Sequence, residues 1–87
     1  MAGELILIVE DNEKNLKLVR DLLQVKGYRT LEAGTALAGI AAAREHHPDL
    51  VLMDIQLPDM DGISALGRLR ADPATGATPS SPSPPRR

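Results

Sequence analysis

Residues 5–9 read LILIV, apolar at every position, and they stand between Glu4 and Glu10. A strand with one face in water alternates apolar and polar residues. One that is apolar throughout has to be covered on both faces, as in a parallel sheet with helices above and below. The rest of the chain keeps to that requirement. Residues 11–27 (DNEKNLKLVRDLLQVKG) place Leu16, Val19, Leu22 and Leu23 at helical spacing, with Asp11 or Asn12 as cap, Lys26 in the last turn and Gly27 just past the end. YRTLEA (28–33) reads as a weaker second strand. Thr35 caps a predicted helix over 36–47, in which Leu37, Ile40 and Ala41 share a face while Arg44 and Glu45 look outward. Gly39 costs that helix ~1 kcal/mol relative to Ala, which marks close packing against the sheet. Pro48 ends it. DLVLMD (49–54) is a third strand and QLPDMDG (56–62) a loop turning at Pro58 and Gly62. Residues 63–71 form a third helix, carried by Ile63 and Leu66 and stopped by Asp72 and Pro73. Strand–helix alternation of this kind implies right-handed βαβ units and an α/β fold.

After residue 73 the character changes. ATGATPSSPSPPRR holds no apolar residue larger than Ala, so residues 74–87 are expected to be a disordered Pro/Ser-rich tail on a domain spanning 1–73. With 87 residues there is material for one small domain and no more. One Tyr is the only aromatic residue, which leaves no stacking platform for nucleic acid. A net charge of −2 argues against a general polyanion binder, and the absence of cysteine rules out disulfides and thiolate metal sites. The 5–9 run is too short and too acidic at its flanks for a membrane span or signal peptide, so a cytoplasmic location is expected.

In open parallel sheets, ligands gather beyond the carboxyl ends of the strands. Glu10 and Asp11 stand at that end of the first strand, and Asp54 at that end of the third. If those strands are neighbours, ~5 Å apart, the three carboxylates form one cluster that asks for a cation. An all-oxygen set with few direct carboxylates suits Mg²⁺ better than Ca²⁺. A carboxylate oxygen beside Mg²⁺ is half of a phosphoryl-transfer site. The blander readings are that Asp54 only hydrogen-bonds the following loop, and that Glu10 and Asp11 only favour a helix start. Other patterns are weaker. Asp59 and Asp61 fail the calcium-loop spacing, and Asp61 reads as a helix cap. His46 and His47 are adjacent at a helix end and read as solvated. Gly34 and Gly39 lack the Lys and Ser or Thr of a phosphate loop.

LILIVEDNEKN and, some forty residues later, PDLVLMDIQLPDMDG resemble the receiver domain of two-component response regulators, over roughly residues 4–73. The resemblance implies a flavodoxin-like sheet with order 2-1-3 for the three strands and three helices present. It implies that Asp54 is the phosphoacceptor, taking a phosphoryl group from the phosphohistidine of a sensor histidine kinase or a histidine phosphotransfer domain. By the same resemblance Asp11 ligates Mg²⁺ directly, Glu10 does so through water, and the carbonyl of Gln56 adds a further ligand. Any catalysis would be confined to self-phosphorylation and autodephosphorylation at Asp54. The surface near the first helix would receive the kinase.

The family's receivers also carry a Thr or Ser after a fourth strand and a Lys after a fifth, and here the lysines are Lys14, Lys17 and Lys26, all in the first helix. The sequence is therefore expected to be a truncated receiver whose third strand has a bare outer edge at residues 50–53, open to self-association. A non-switching fragment that acts by protein binding is the alternative to a working phosphorelay receiver.

Overall fold

The computed structural model describes residues 3–82, and the chain runs strand, helix, strand, helix, strand, helix, strand. β1 (Leu5–Val9) is buried from Ile6 onward, as a strand apolar on both faces must be. α1 (Glu13–Val25) starts at Asn12, whose side chain accepts from the Lys14 and Asn15 N–H groups. Just beyond its end Gly27 sits at φ 93°, where a side chain would be strained. β2 (Arg29–Ala33) and β3 (Leu50–Met53) pair in parallel with β1 on either side, with Val9 opposite Ala33 in one direction and Met53 in the other. α2 (Ala36–His46) is capped by Thr35, and α3 (Gly62–Ala71) by Asp61. The expected order 2-1-3 holds, and α1 packs over β1 and β2 while α2 and α3 lie together over the core formed by Leu7, Val9, Val51 and Met53.

The inward faces of α2 and α3 match expectation at Ile40 and Leu66, which pack on the core, and depart from it elsewhere. Leu37 is 56 % exposed and Ile63 64 %, whereas Ala36, Gly39 and Ala43 face inward on α2, and Ala65, Leu66 and Leu69 on α3. The reason is closeness. A Cβ on Gly39 would stand 2.5 Å from Val9 Cγ2, so α2 lies too near β1 for large side chains between them. Leu22 of α1 is likewise exposed, because α1 is covered on the sheet side only.

The boundary expected at residue 73 also moves. A fourth strand, β4 (Ser80–Pro82), pairs in parallel with β3, so the sheet order among the described residues is 2-1-3-4. The edge of β3 expected to be bare is therefore covered from Val51 to Met53, and self-association through it has no open edge there to use. Side-chain composition hid this strand because pairing uses main-chain groups. Val51 donates its N–H to the Pro79 carbonyl at 2.9 Å, and proline is tolerated on an outer strand. The connection is anchored too: buried Thr75 donates from Oγ1 to the Leu69 carbonyl at 2.7 Å, and Asp72 pairs with Arg44 at 3.1 Å. Residues 83–87, the rest of the expected tail, lie outside the described residues.

Candidate acidic site at the carboxyl end of the sheet

The ladder that joins β1 to its neighbours carries on into the site. Asp54 donates its N–H to the Val9 carbonyl and Glu10 donates to the Ala33 carbonyl, each at 2.9 Å, so the residues following β1 and β3 are held side by side. Both acids are buried, Glu10 at 6 % exposure and Asp54 at 5 %, while Asp11 is exposed at the rim. One carboxylate oxygen from each of Glu10, Asp11 and Asp54 can be chosen so that all three lie within 4.8 Å of one another. The structure thus brings together the three acids that the sequence singled out.

Local hydrogen bonds fix how those carboxylates face. Glu10 Oε2 accepts from the Asn12 N–H at 3.1 Å, in the turn that starts α1. Asp54 Oδ1 accepts from the Gln56 N–H at 3.1 Å, two residues into the loop. Gln56 is therefore adjacent to the cluster through its backbone. The blander reading of Asp54 as a loop-bonding residue is true as far as it goes, and that bond orients the carboxylate. At an effective dielectric of 20, two like charges ~5 Å apart repel by about 3 kcal/mol. The donor set is all oxygen, with no nitrogen or sulfur ligand in the cluster, which fits a hard divalent cation such as Mg²⁺.

The loop between Asp54 and α3 is held tightly. Gly62 N–H donates to the Ile55 carbonyl at 3.1 Å, and Gln56 and Asp61 form an isolated antiparallel bridge. Asp61 caps α3, accepting from both the Ser64 N–H (2.7 Å) and its hydroxyl (3.0 Å), as the sequence suggested. Asp59 was missed as a structural residue. Its two oxygens accept from the Ala36 N–H (2.8 Å) and the Leu37 N–H (2.9 Å) at the start of α2. The partners are 23 and 22 residues away, so no local signal could have revealed them. His46 and His47 are exposed at the end of α2, as expected.

Hydrogen bonding to Leu37 and Ala36 holds the Asp59 carboxyl below the usual aspartate range, and Ser64 does the same for Asp61. A carboxylate whose folded pKa is depressed adds stability that is fully present above the unfolded value, about 3.9, and is lost as pH falls through the folded value. Acid should therefore weaken the fold below about pH 4. Asp59→Asn and Asp61→Asn should each make that decline shallower in urea melts at pH 6 and pH 3. Equal slopes in wild type and variants would contradict the assignment.

Comparison with known proteins agrees with the fold. The family model for the response regulator receiver domain matches residues 6–79. The polar-differentiation response regulator DivK of Brucella ovis is 51% identical over 67 residues, covering 77% of this chain and 54% of that protein. The chain thus spans about half the length of the curated relatives it matches. Among solved structures, the N-terminal domain of a response regulator receiver protein from Methanoculleus marisnigri superposes with a TM-score of 0.87 at 34% identity, over 91% of this chain and 64% of that one. The receiver domain of a sensor histidine kinase from Pseudomonas aeruginosa, solved with a magnesium ion coordinated in its active-site cleft, gives 0.87 at 33% identity, over 93% and 66%. No helix among the described residues is long and apolar enough to cross a membrane.

Proposed function

The chain belongs to the response regulator receiver domain family, and from that premise we propose that Asp54 accepts a phosphoryl group from the phosphohistidine of a sensor histidine kinase or a histidine phosphotransfer domain. The observation that carries this reading is the convergence of the Glu10, Asp11 and Asp54 carboxylates within 4.8 Å at the carboxyl end of the sheet. Glu10, Asp11, Asp54 and the Gln56 carbonyl would hold Mg²⁺. Bound there, it neutralises charge on the transferring phosphoryl group.

In this reading the chain's own residues carry the transfer. An Asp54 oxygen attacks phosphorus, the phosphorus–nitrogen bond of the phosphohistidine breaks, and the imidazole leaves with the bonding pair. The Gln56 N–H on Oδ1 keeps the carboxylate from rotating during attack. Water later attacks the acyl phosphate, which returns the carboxylate and inorganic phosphate. In this reading the chain works in the cytoplasm, where ATP-fed phosphohistidine is made.

The donor is proposed to dock beside α1, which leaves Leu18, Leu22 and Val25 exposed at i, i+4 and i+7 spacing. Such a stripe suits the groove of a helical partner. Because it does not depend on Asp54, it also favours a second reading, in which the chain binds the partner without accepting phosphate. One experiment separates the two. The chain is incubated with Mg²⁺ and a small phosphodonor and its intact mass is measured. The first reading predicts one added phosphate, lost in Asp54→Asn and in chelator. No uptake under conditions that label a full-length receiver would leave only the binding role.

A further inference from the structure

The loop from Asp54 to Gly62 is pinned at two places. Its base is closed by the Gln56–Asp61 bridge and by the Gly62 N–H on the Ile55 carbonyl, and Gln56 there donates to Asp54 Oδ1. Its tip is held from another element. Asp59 reaches the first turn of α2 and takes the Ala36 N–H on one oxygen and the Leu37 N–H on the other. First-turn amides of a helix have no partner within it, so a carboxylate placed there makes strong charge-assisted bonds. Thr35 already caps α2 in the ordinary way, accepting from the Ala38 N–H. Asp59 therefore adds a long-range strap. Between base and tip, Leu57 and Met60 pack against the core, so a shift at the tip is carried back toward Gln56.

We infer that Asp59 is a positioning residue for the metal and phosphoryl site: by strapping the loop tip to α2 it holds the Gln56 backbone, and through it the Asp54 carboxylate, in the orientation that binds Mg²⁺. The inference rests on the magnesium-dependent reading of the site proposed above. Coupling of this kind is reciprocal. If the strap favours the metal, the metal must favour the strap, and Mg²⁺ will slow hydrogen exchange at the Ala36 and Leu37 amides. Because an ion held by the folded chain slows exchange at every amide that opens with the whole fold, the response that reports the strap is slowing at Ala36 and Leu37 beyond that at amides remote from the loop.

The test is calorimetric titration of Mg²⁺ into the wild-type chain, Asp59→Ala, Asp59→Asn and Thr35→Ala, with amide exchange measured with and without the ion. Loss of a residue that orients metal ligands typically weakens binding 10–100-fold, so Asp59→Ala should weaken it by about tenfold. Asp59→Asn, which keeps one acceptor, should fall between it and wild type. Thr35→Ala removes the other cap of the same helix without touching the loop, and should stay within about twofold of wild type. At saturating Mg²⁺, exchange at Ala36 and Leu37 should slow more than at amides remote from the loop in wild type, and no more than at those amides in Asp59→Ala. Equal affinity in wild type and Asp59→Ala overturns the inference while leaving the metal site intact. Equal losses in Asp59→Ala and Thr35→Ala also overturn it, since the effect would then be general destabilisation. A wild type that takes up no Mg²⁺ overturns the underlying reading and this inference with it.

Discussion

Gly62→Ala should destabilise the chain by about 3 kcal/mol, at the upper end of the cost of overpacking, read as a large fall in the urea midpoint. Gly62 opens α3 where the helix touches the end of β3. A Cβ there would stand 2.7 Å from Ile55 Cα and 2.8 Å from the Asp54 carbonyl carbon, and closer still to the Asp54 carbonyl oxygen. All three are backbone atoms, so no rotamer change relieves the collision. Either α3 moves away and breaks the Gly62–Ile55 hydrogen bond, or the end of β3 moves and carries Asp54 with it. The same variant should therefore lose phosphate uptake beyond what its remaining folded fraction explains. Gly67, in the same helix, is the control. A Cβ there meets nothing within 4 Å, and Gly67→Ala should stabilise by roughly 0.5–1 kcal/mol through helix propensity. If the two alanines behave alike, the close approach of α3 to β3 is wrong.

Asp54→Asn should raise stability in chelator, by about 1–3 kcal/mol given the repulsion expected between like charges at this spacing. Asparagine keeps the shape and an oxygen to accept from the Gln56 N–H, so the substitution removes the charge and keeps that bond. Added Mg²⁺ should reverse the comparison. A ligand that binds only the folded state stabilises by about 2.7 kcal/mol at a hundredfold excess over Kd, and only the wild type should gain it. Thermal melts of both proteins in chelator and in Mg²⁺ give the four values. Coincident melts in chelator, with neither protein responding to the ion, would contradict an ion site at these acids.

Where local chemistry decides, the sequence was informative. The fully apolar LILIV run placed β1 in the middle of a covered sheet, and the Asp11–Asn12 pair, of which Asn12 proves to be the cap, Thr35 and Asp61 announced the starts of three helices. The acids at two strand ends met as their positions implied, because a parallel pair puts its carboxyl ends together. Three things escaped. The fully buried face of α2 is made of Ala and Gly, since the helix lies against Val9, and a search for large apolar residues finds Ile40 at its margin but also the exposed Leu37. β4, made of Ser and Pro, is joined to β3 by main-chain pairing, which no side-chain pattern reports. Asp59 looked like part of a failed calcium loop because the amides it holds belong to a helix far away in sequence.

The claim on which the rest stands is that Glu10, Asp11 and Asp54 share one divalent ion. Calorimetric titration of Mg²⁺ into the wild-type chain, Glu10→Gln, Asp11→Asn and Asp54→Asn tests it most directly. A single ion per wild-type chain, bound at least about tenfold more weakly by every one of the three variants, is the predicted result. Binding that survives all three substitutions unchanged would place the ion elsewhere and contradict the account.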